Sequence, residues 1–141
     1  MKLTCERDIH VRFNEVDSLG ILWHGHFIKY FEDGREAFGA KYNLGYMDVF
    51  SEGYVIPLVD MDCSFKVPIK YGDKVRIEAT FVDTPAAKII FDYKLYNPDT
   101  NQLYATGRTV QVFLTKEDNQ LHITLPEFYI EWKKKRGLLP E

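Results

Sequence analysis

The segment HGHFIKYFEDGREAFGAKYNLG, residues 24–45, contains the helix that decides the fold of this chain. Apolar or small residues recur in it at steps of four, three, four and four: Phe27, Phe31, Gly34, Phe38 and Tyr42. This spacing places them on one face of an α-helix, with charged residues on the opposite side. Gly45 is the predicted helix stop. Because glycine is costly inside a helix, Gly34 predicts that a sheet packs too closely there for a side chain.

Strands are predicted on both sides of this helix. Before it, apolar and polar residues alternate over residues 7–16, which is typical of a half-buried strand, and Asp17–Gly20 forms a turn. Pro57 and Pro68 indicate bulges or an edge strand in the first apolar run after the helix. The runs after the helix predict strands over residues 54–70, 73–84, 88–96, 103–115 and 121–125, then a short C-terminal helix from Pro126.

One helix with so many large apolar side chains must be covered by the sheet. The expected fold class is therefore α+β, a curved antiparallel sheet wrapped around one long central helix. The chain has 141 residues and no linker or repeat, so we expect a single domain over residues 1–141. Small sheets of this kind often hide an edge strand against a second copy, which predicts a dimer.

Composition excludes several classes of protein. Hydrophobic residues make up 45% of the chain, enough for a core, and the net charge of −3 disfavours a nucleic-acid binder. No apolar stretch approaches the roughly 18 residues that span a bilayer, and residues 1–8 have no apolar signal-peptide core, so we expect a cytoplasmic protein. Cys5 and Cys63 are expected to be reduced, and the basic run of residues 133–136 to be a solvated helix end.

Reactive side chains are densest between the first strand and the helix, in residues 14–27. Asp17 lies in a turn that leads into a helix N-terminus, whose first N–H groups lack partners and suit an oxyanion. A carboxylate beside them can act as a general base or nucleophile. From the residues alone, a turn role for Asp17 is the commoner outcome, and Glu15 is the rival carboxylate. His24 and His26 diverge on a helix and complete no metal-ligand set, so no metal is expected.

Residues 11–27, VRFNEVDSLGILWHGHF, resemble the signature of the 4-hydroxybenzoyl-CoA thioesterase family, whose members are acyl-CoA thioesterases with the hot-dog fold. The resemblance continues through residues 30–35 and residues 64–73. It implies the same fold that the pattern of helix and strands predicts. The chain departs from the family pattern at His26, where the family has Asn, at Val16, often Thr, and at Gly34, commonly Ala.

The resemblance also implies roles for individual residues. Asp17 matches the catalytic carboxylate, which attacks the thioester carbonyl or activates a water to do so. His24 occupies the helix N-terminal position whose backbone N–H polarises the thioester oxygen. Gly20 permits the turn, and Trp23 lines the acyl pocket. The predicted substrate-binding residues are Gly20, Trp23, Gly25, His26 and Lys88, the last as a contact for coenzyme A phosphates or a solvated turn lysine.

The implied reaction is hydrolysis of an acyl-CoA thioester to a free acid and coenzyme A, without a metal or separate cofactor. The family implies a homodimer or homotetramer, and acyl carrier protein remains open as the carrier in place of coenzyme A. Two other functions are retained. One is a non-catalytic acyl-thioester-binding protein, which His26 would favour, and the other is a hot-dog hydratase or dehydratase.

Overall fold

The computed structural model describes residues 2–140, which form three α-helices and seven strands. The helices are α1 (Gly25–Tyr42), α2 (Tyr46–Ser51) and α3 (Glu127–Lys135). The strands are β1 (Thr4–Ile9), β2 (Tyr54–Val55), β3 (Leu58–Phe65), β4 (Val75–Val82), β5 (Lys88–Tyr96), β6 (Leu103–Thr115) and β7 (Leu121–His122). A 3-10 turn, Phe13–Glu15, lies between β1 and α1.

Every pair of strands in the sheet is antiparallel, and the central order is β1-β4-β5-β6. β3 pairs with β6 over residues 105–111, and the short β2 pairs with residues 114–115 of the same strand. β7 also pairs with β6. Because β3 has β6 as its partner on one side, it forms an edge of the sheet within the described residues.

The core lies between α1 and the inner face of the sheet. Phe27, Phe31 and Phe38 of α1 are buried, as the spacing predicts. The inner residues of β4 and β5 alternate with outward ones and are all buried: Val75, Ile77, Ala79, Phe81, Ile89, Phe91, Tyr93 and Leu95. Burial of each large side chain in this layer stabilises the fold by about 2 kcal/mol. The predicted sheet on one long helix is confirmed.

Gly34 lies where the helix comes closest to β4. A Cβ atom on Gly34 would lie 2.6 Å from Ile77 Cγ1 and 3.5 Å from the Cβ of Ala79. The first distance is far below van der Waals contact, so no larger residue fits without moving the helix or the strand. The prediction that close sheet packing explains this glycine is confirmed.

The strand predicted over residues 7–16 is wrong in its bounds. β1 ends at Ile9, which pairs with Val75, the first residue of β4, so β1 has no partner farther along. Beyond that point the chain turns, and the amide of Glu15 donates to the carbonyl oxygen of Arg12 at 2.9 Å. Phe13, one of the alternating apolar residues of that predicted strand, is exposed.

The end of α1 also differs from the prediction. The helix stops at Tyr42, because Asn43 adopts the left-handed conformation with φ 60° and caps it. Gly45 instead is the N-cap of α2, a helix that the sequence pattern did not predict, and its amide donates to Asp48 Oδ2 at 2.8 Å. The run predicted as one strand over residues 54–70 is divided at Pro57 into β2 and β3, and its edge position is confirmed.

The basic run near the C-terminus is not fully solvated, contrary to the prediction. Lys133 is buried, and its Nζ donates to the carbonyl oxygen of Thr84 at 2.7 Å and pairs with Asp83 at 2.8 Å. A guanidinium nitrogen of Arg136 donates to the carbonyl oxygen of Tyr42 at 2.6 Å. These contacts join α3 to the turn between β4 and β5 and to the end of α1.

Within residues 2–140 no helix is both long and apolar enough to cross a membrane. The cysteines there, Cys5 and Cys63, are both free, as expected. Cytoplasmic localisation and the single domain over residues 1–141 stay predictions.

Gly34→Ala tests the close approach of helix and sheet. Alanine has the better helix propensity by about 1 kcal/mol, yet its Cβ overlaps Ile77, so we expect a net destabilisation of about 1–3 kcal/mol. Urea unfolding measures the change. Ala40→Gly, on the exposed side of α1, is the control and should cost about 1 kcal/mol from propensity alone. A Gly34→Ala variant more stable than the natural chain would contradict the packing argument.

Candidate active site

Asp17 forms the turn that precedes α1. Its Oδ1 accepts the amides of Leu19 at 2.8 Å and Ile21 at 3.3 Å, and its carbonyl oxygen accepts the amide of Gly20 at 2.9 Å. Gly20 has φ 74°, a left-handed conformation that glycine adopts without strain. Asp17 Oδ2 has no hydrogen-bond partner among residues 2–140. The carboxylate therefore builds the turn with one oxygen and leaves the other free for chemistry.

The start of α1 supplies two unused amides. The amide of His26 donates to the carbonyl oxygen of Trp23 at 3.0 Å, and the amide of Phe27 donates to that of His24 at 3.2 Å. The amides of His24 and Gly25 have no acceptor among the described residues. They lie at the positive end of an 18-residue helix, where N–H groups stabilise negative charge on a ligand.

An apolar groove of about 290 Å³ adjoins both features. Asp17 and His24 are among the residues that line it, and Lys66 is the cationic residue of the lining. The rings of Phe27 and Phe65 meet edge to face at 4.9 Å within it. The residues that line it are Asp17, Ile21, Leu22, Trp23, His24, Phe27, Phe65, Lys66, Val67 and Pro68. This set of residues is called the groove below.

The far wall of the groove is held by backbone hydrogen bonds between two loops. The amide of Leu22 donates to the carbonyl oxygen of Ile69 at 2.7 Å, and the amide of Tyr71 donates to the carbonyl oxygen of Gly20 at 3.1 Å. The amide of Lys66 donates to the carbonyl oxygen of Tyr104 at 2.8 Å. The Asp17 turn and the segment after β3 therefore form one unit.

Glu15 is buried and anchors the base of the turn. Its carboxylate accepts hydrogen bonds of 2.8 Å from the amide of Arg12, from Lys29 Nζ and from the hydroxyl of Tyr30. Its carbonyl oxygen accepts the amide of Trp23 at 3.0 Å. Burial by itself raises the pKa of Glu15, but the bonds from Lys29, Arg12 and Tyr30 and the Lys29 charge lower it to about 2. With both oxygens engaged, Glu15 is structural, and Asp17 is the available carboxylate.

The structure brings together most of the predicted site residues. Asp17, Trp23 and His24 line the groove, and the Trp23 ring lies edge to face with the half-buried His26 ring at 5.6 Å. Gly25 lies beneath the Trp23 indole. The roles predicted for these residues toward a substrate stay predictions.

Lys88 lies apart from this group. Lys88 is the first residue of β5 and lies seven residues before Leu95. Leu95 pairs with Ala105 of β6, and Ala105 also pairs with Phe65, which lines the groove. At the rise of a β-strand, that separation is about 23 Å. Within one chain Lys88 therefore does not line the groove, and its contact with coenzyme A stays a prediction.

Phe65, Lys66, Val67 and Pro68 line the groove, and the sequence argument did not assign them to the site. Residues 64–73 do resemble the family, and that resemblance was the signal that could have found them. No group of three or more His, Cys, Asp or Glu side chains in residues 2–140 is placed to hold a metal ion. Independence from metals and cofactors stays a prediction.

The chain is similar to known proteins in sequence and in fold. Residues 11–133 match the Thioesterase-like superfamily. YneP of Bacillus subtilis, provisionally named an acyl-CoA thioesterase, is 26% identical over 134 residues, which cover 93% of this chain and 96% of YneP.

Solved structures share the fold. The DHNA-CoA thioesterase of Staphylococcus aureus has a TM-score of 0.81 at 22% identity, over 96% of this chain and 92% of that one. The 4-hydroxybenzoyl-CoA thioesterase of Pseudomonas sp. strain CBS-3 has a TM-score of 0.76 at 21% identity, over 92% of this chain and 98% of that one. The predicted hot-dog fold is confirmed by these likenesses.

Glu15→Gln tests the anchor role through the pH dependence of stability. Because the folded pKa of about 2 lies below the ordinary 4.5, ionised Glu15 stabilises the fold. The stabilisation is about 3 kcal/mol, present above pH 5 and lost as the pH falls toward 2. In urea unfolding, the difference in free energy of unfolding between the natural chain and Glu15→Gln should narrow from pH 7 to pH 3. Glu117→Gln, in an exposed turn, is the control. A stability difference between the natural chain and Glu15→Gln that does not change with pH would contradict the anchor role of Glu15.

Proposed function

Since the chain belongs to the Thioesterase-like superfamily, we propose that it hydrolyses acyl-CoA thioesters to free acid and coenzyme A, with Asp17 and the start of α1 as the catalytic groups. One observation carries the proposal. Asp17, whose carboxylate has a free oxygen, and His24, whose amide has no acceptor among the described residues, line the same apolar groove, and the unused amide of Gly25 is the next along the helix. These are the parts needed to attack a carbonyl and to stabilise the charge that develops on its oxygen.

In the general-base route, the thioester oxygen points at the amides of His24 and Gly25, and the acyl group occupies the groove. Asp17 takes a proton from a water molecule as the water oxygen bonds to the carbonyl carbon. The two amides stabilise the resulting oxyanion. Collapse then breaks the carbon–sulfur bond, and the thiolate receives the proton from Asp17. A thiol has a pKa near 8.5, so it leaves with little assistance.

In the nucleophilic route, an oxygen of Asp17 bonds to the carbonyl carbon and the thiolate departs, which leaves a mixed anhydride that water cleaves. Mass spectrometry of the protein during a single turnover separates the two routes. A gain equal to the mass of the acyl group less one hydrogen identifies the nucleophilic route, whereas the general-base route gives no gain.

The aromatic lining of the groove favours a compact, flat acyl group. Its walls include the rings of Trp23, Phe27 and Phe65, and aromatic rings favour edge and stacking contacts with other rings. The two solved relatives described above are named for aryl-CoA thioesters. We therefore propose aryl-CoA as the preferred class, with acyl-carrier-protein thioesters as the substrates to test beside it.

We also propose that a second copy of the chain seats on β3 and completes the site. β3 is an edge strand with exposed apolar side chains at Leu58, Val59 and Phe65. An unpaired apolar edge favours pairing with another strand. Because Phe65 lines the groove, a copy seated there would border the substrate. A homotetramer built from such dimers is also compatible with the family.

Asp17→Asn and Asp17→Ala separate catalysis from turn formation. Asparagine retains the carbonyl oxygen that accepts the amides of Leu19 and Ile21, so this variant should fold with unchanged stability. Alanine removes both bonds and should lose about 1 kcal/mol. Both variants should lose thiol release from benzoyl-CoA by at least about a thousandfold, because neither has the base. Release is followed with a thiol-reactive dye.

Asp99→Asn, in an exposed turn that does not line the groove, is the matched control and should keep full activity. Near-natural hydrolysis by folded Asp17→Asn would overturn the mechanism. Saturable binding of acyl-CoA without hydrolysis by the natural chain would favour a binding protein. Turnover of enoyl-CoA without thiol release would favour a hydratase.

Val59→Lys tests the second copy on β3. Lysine on an edge strand opposes pairing, so the variant should sediment as a monomer while the natural chain sediments at twice its mass or more. Leu121→Lys places the same charge at another exposed apolar position, on β7, and should leave the mass unchanged. A natural chain that sediments as a monomer would refute this arrangement.

A further inference from the structure

The Trp23 side chain lies very close to Gly25, although the helix itself does not require a glycine at this position. A Cβ atom on Gly25 would lie 2.1 Å from Trp23 Cζ3 and 2.6 Å from Cε3 and Cη2. The benzo ring of the indole therefore occupies the space that any other residue at position 25 would fill. Since the ring end is flexible and Trp23 is 52% exposed, the indole can move without disturbing the core.

The indole is otherwise held by weak ring contacts. Its centroid lies 4.9 Å from the His24 ring and 5.6 Å from the His26 ring. Its position over the helix start places it beside the unused amides of His24 and Gly25 and in the wall of the groove. We therefore expect an acyl group whose carbonyl reaches those amides to contact this ring.

We propose that Gly25 is a positioning residue that sets acyl-group selectivity by allowing the Trp23 indole to fold back over the helix start. This inference rests on the proposed function, since it concerns the same groove. Neither the Asp17 turn nor the bond from the Trp23 amide to Glu15 involves the indole. Movement of the ring therefore changes the groove and leaves the catalytic groups in place.

Gly25→Ala displaces the ring in one of two directions. A ring that turns into the groove narrows it for a bulky acyl group. A ring that turns into solvent removes the surface on which an aryl group packs. In both cases we expect the ratio of kcat/KM for benzoyl-CoA to that for acetyl-CoA to fall about tenfold, mainly through KM.

A double-mutant cycle distinguishes positioning from a general effect on the helix. In a Trp23→Ala background, Gly25→Ala should change the selectivity ratio by less than about twofold, because the ring through which it acts is gone. Trp23 and Trp132 are the two tryptophans of the chain, so the difference spectrum against Trp23→Ala isolates the emission of Trp23. That emission should shift in Gly25→Ala. Ala40→Gly, the reverse exchange on an exposed helix position, is the control for folding.

The same ratio is measured by binding, with the non-hydrolysable thioethers of benzoyl-CoA and acetyl-CoA. This arm needs no turnover. If the natural chain hydrolyses no thioester but Gly25→Ala shifts the binding ratio, the proposed function fails and the positioning role stands. An unchanged ratio in Gly25→Ala, or a shift that persists in the Trp23→Ala background, would overturn the positioning role.

Discussion

The close approach of α1 to the sheet is the constraint on which the rest of the structure depends. Two glycines permit it. Gly34 faces Ile77, and a Cβ on Gly107 of β6 would lie 2.3 Å from the ring of Phe31. With the helix held at this distance, the Phe31 ring stacks on the Tyr93 ring with a centroid distance of 4.9 Å in the core between the two layers. The N-terminus of α1 therefore has a fixed position relative to the strands, which a site built from backbone amides requires.

The buried carboxylate of Glu15 also fixes the loop that precedes α1. Glu15 binds Arg12 before the turn and Lys29 and Tyr30 after it, and its carbonyl oxygen accepts the Trp23 amide. One residue thus ties both ends of the Asp17 loop to the first turns of α1. The carboxylates of Glu15 and Asp17 differ in their contacts and exposure. Glu15 is ionised, engaged and inaccessible, and Asp17 keeps one free oxygen at the groove.

In Asp17 a common structural role coexists with the proposed catalytic role. The turn role that the residues alone favour is present, since Oδ1 accepts two backbone amides. The same bonds orient the carboxylate beside the helix start, so the turn fixes the position of the proposed base. In contrast, Lys88 has the charge expected of a phosphate contact but lies about 23 Å along β5 from the groove.

Periodicity in the sequence determined α1, the inner faces of β4 and β5, and the reason for Gly34, because each depends on side-chain spacing along one element. The motif of residues 11–27 determined the family and singled out Asp17. Tertiary structure alone decided where β1 ends, because that depends on where its partner β4 begins. It also decided that Phe65 and Lys66 line the same groove as Asp17 and that Lys133 is buried against Asp83, because contacts between distant segments follow from packing and leave no local pattern.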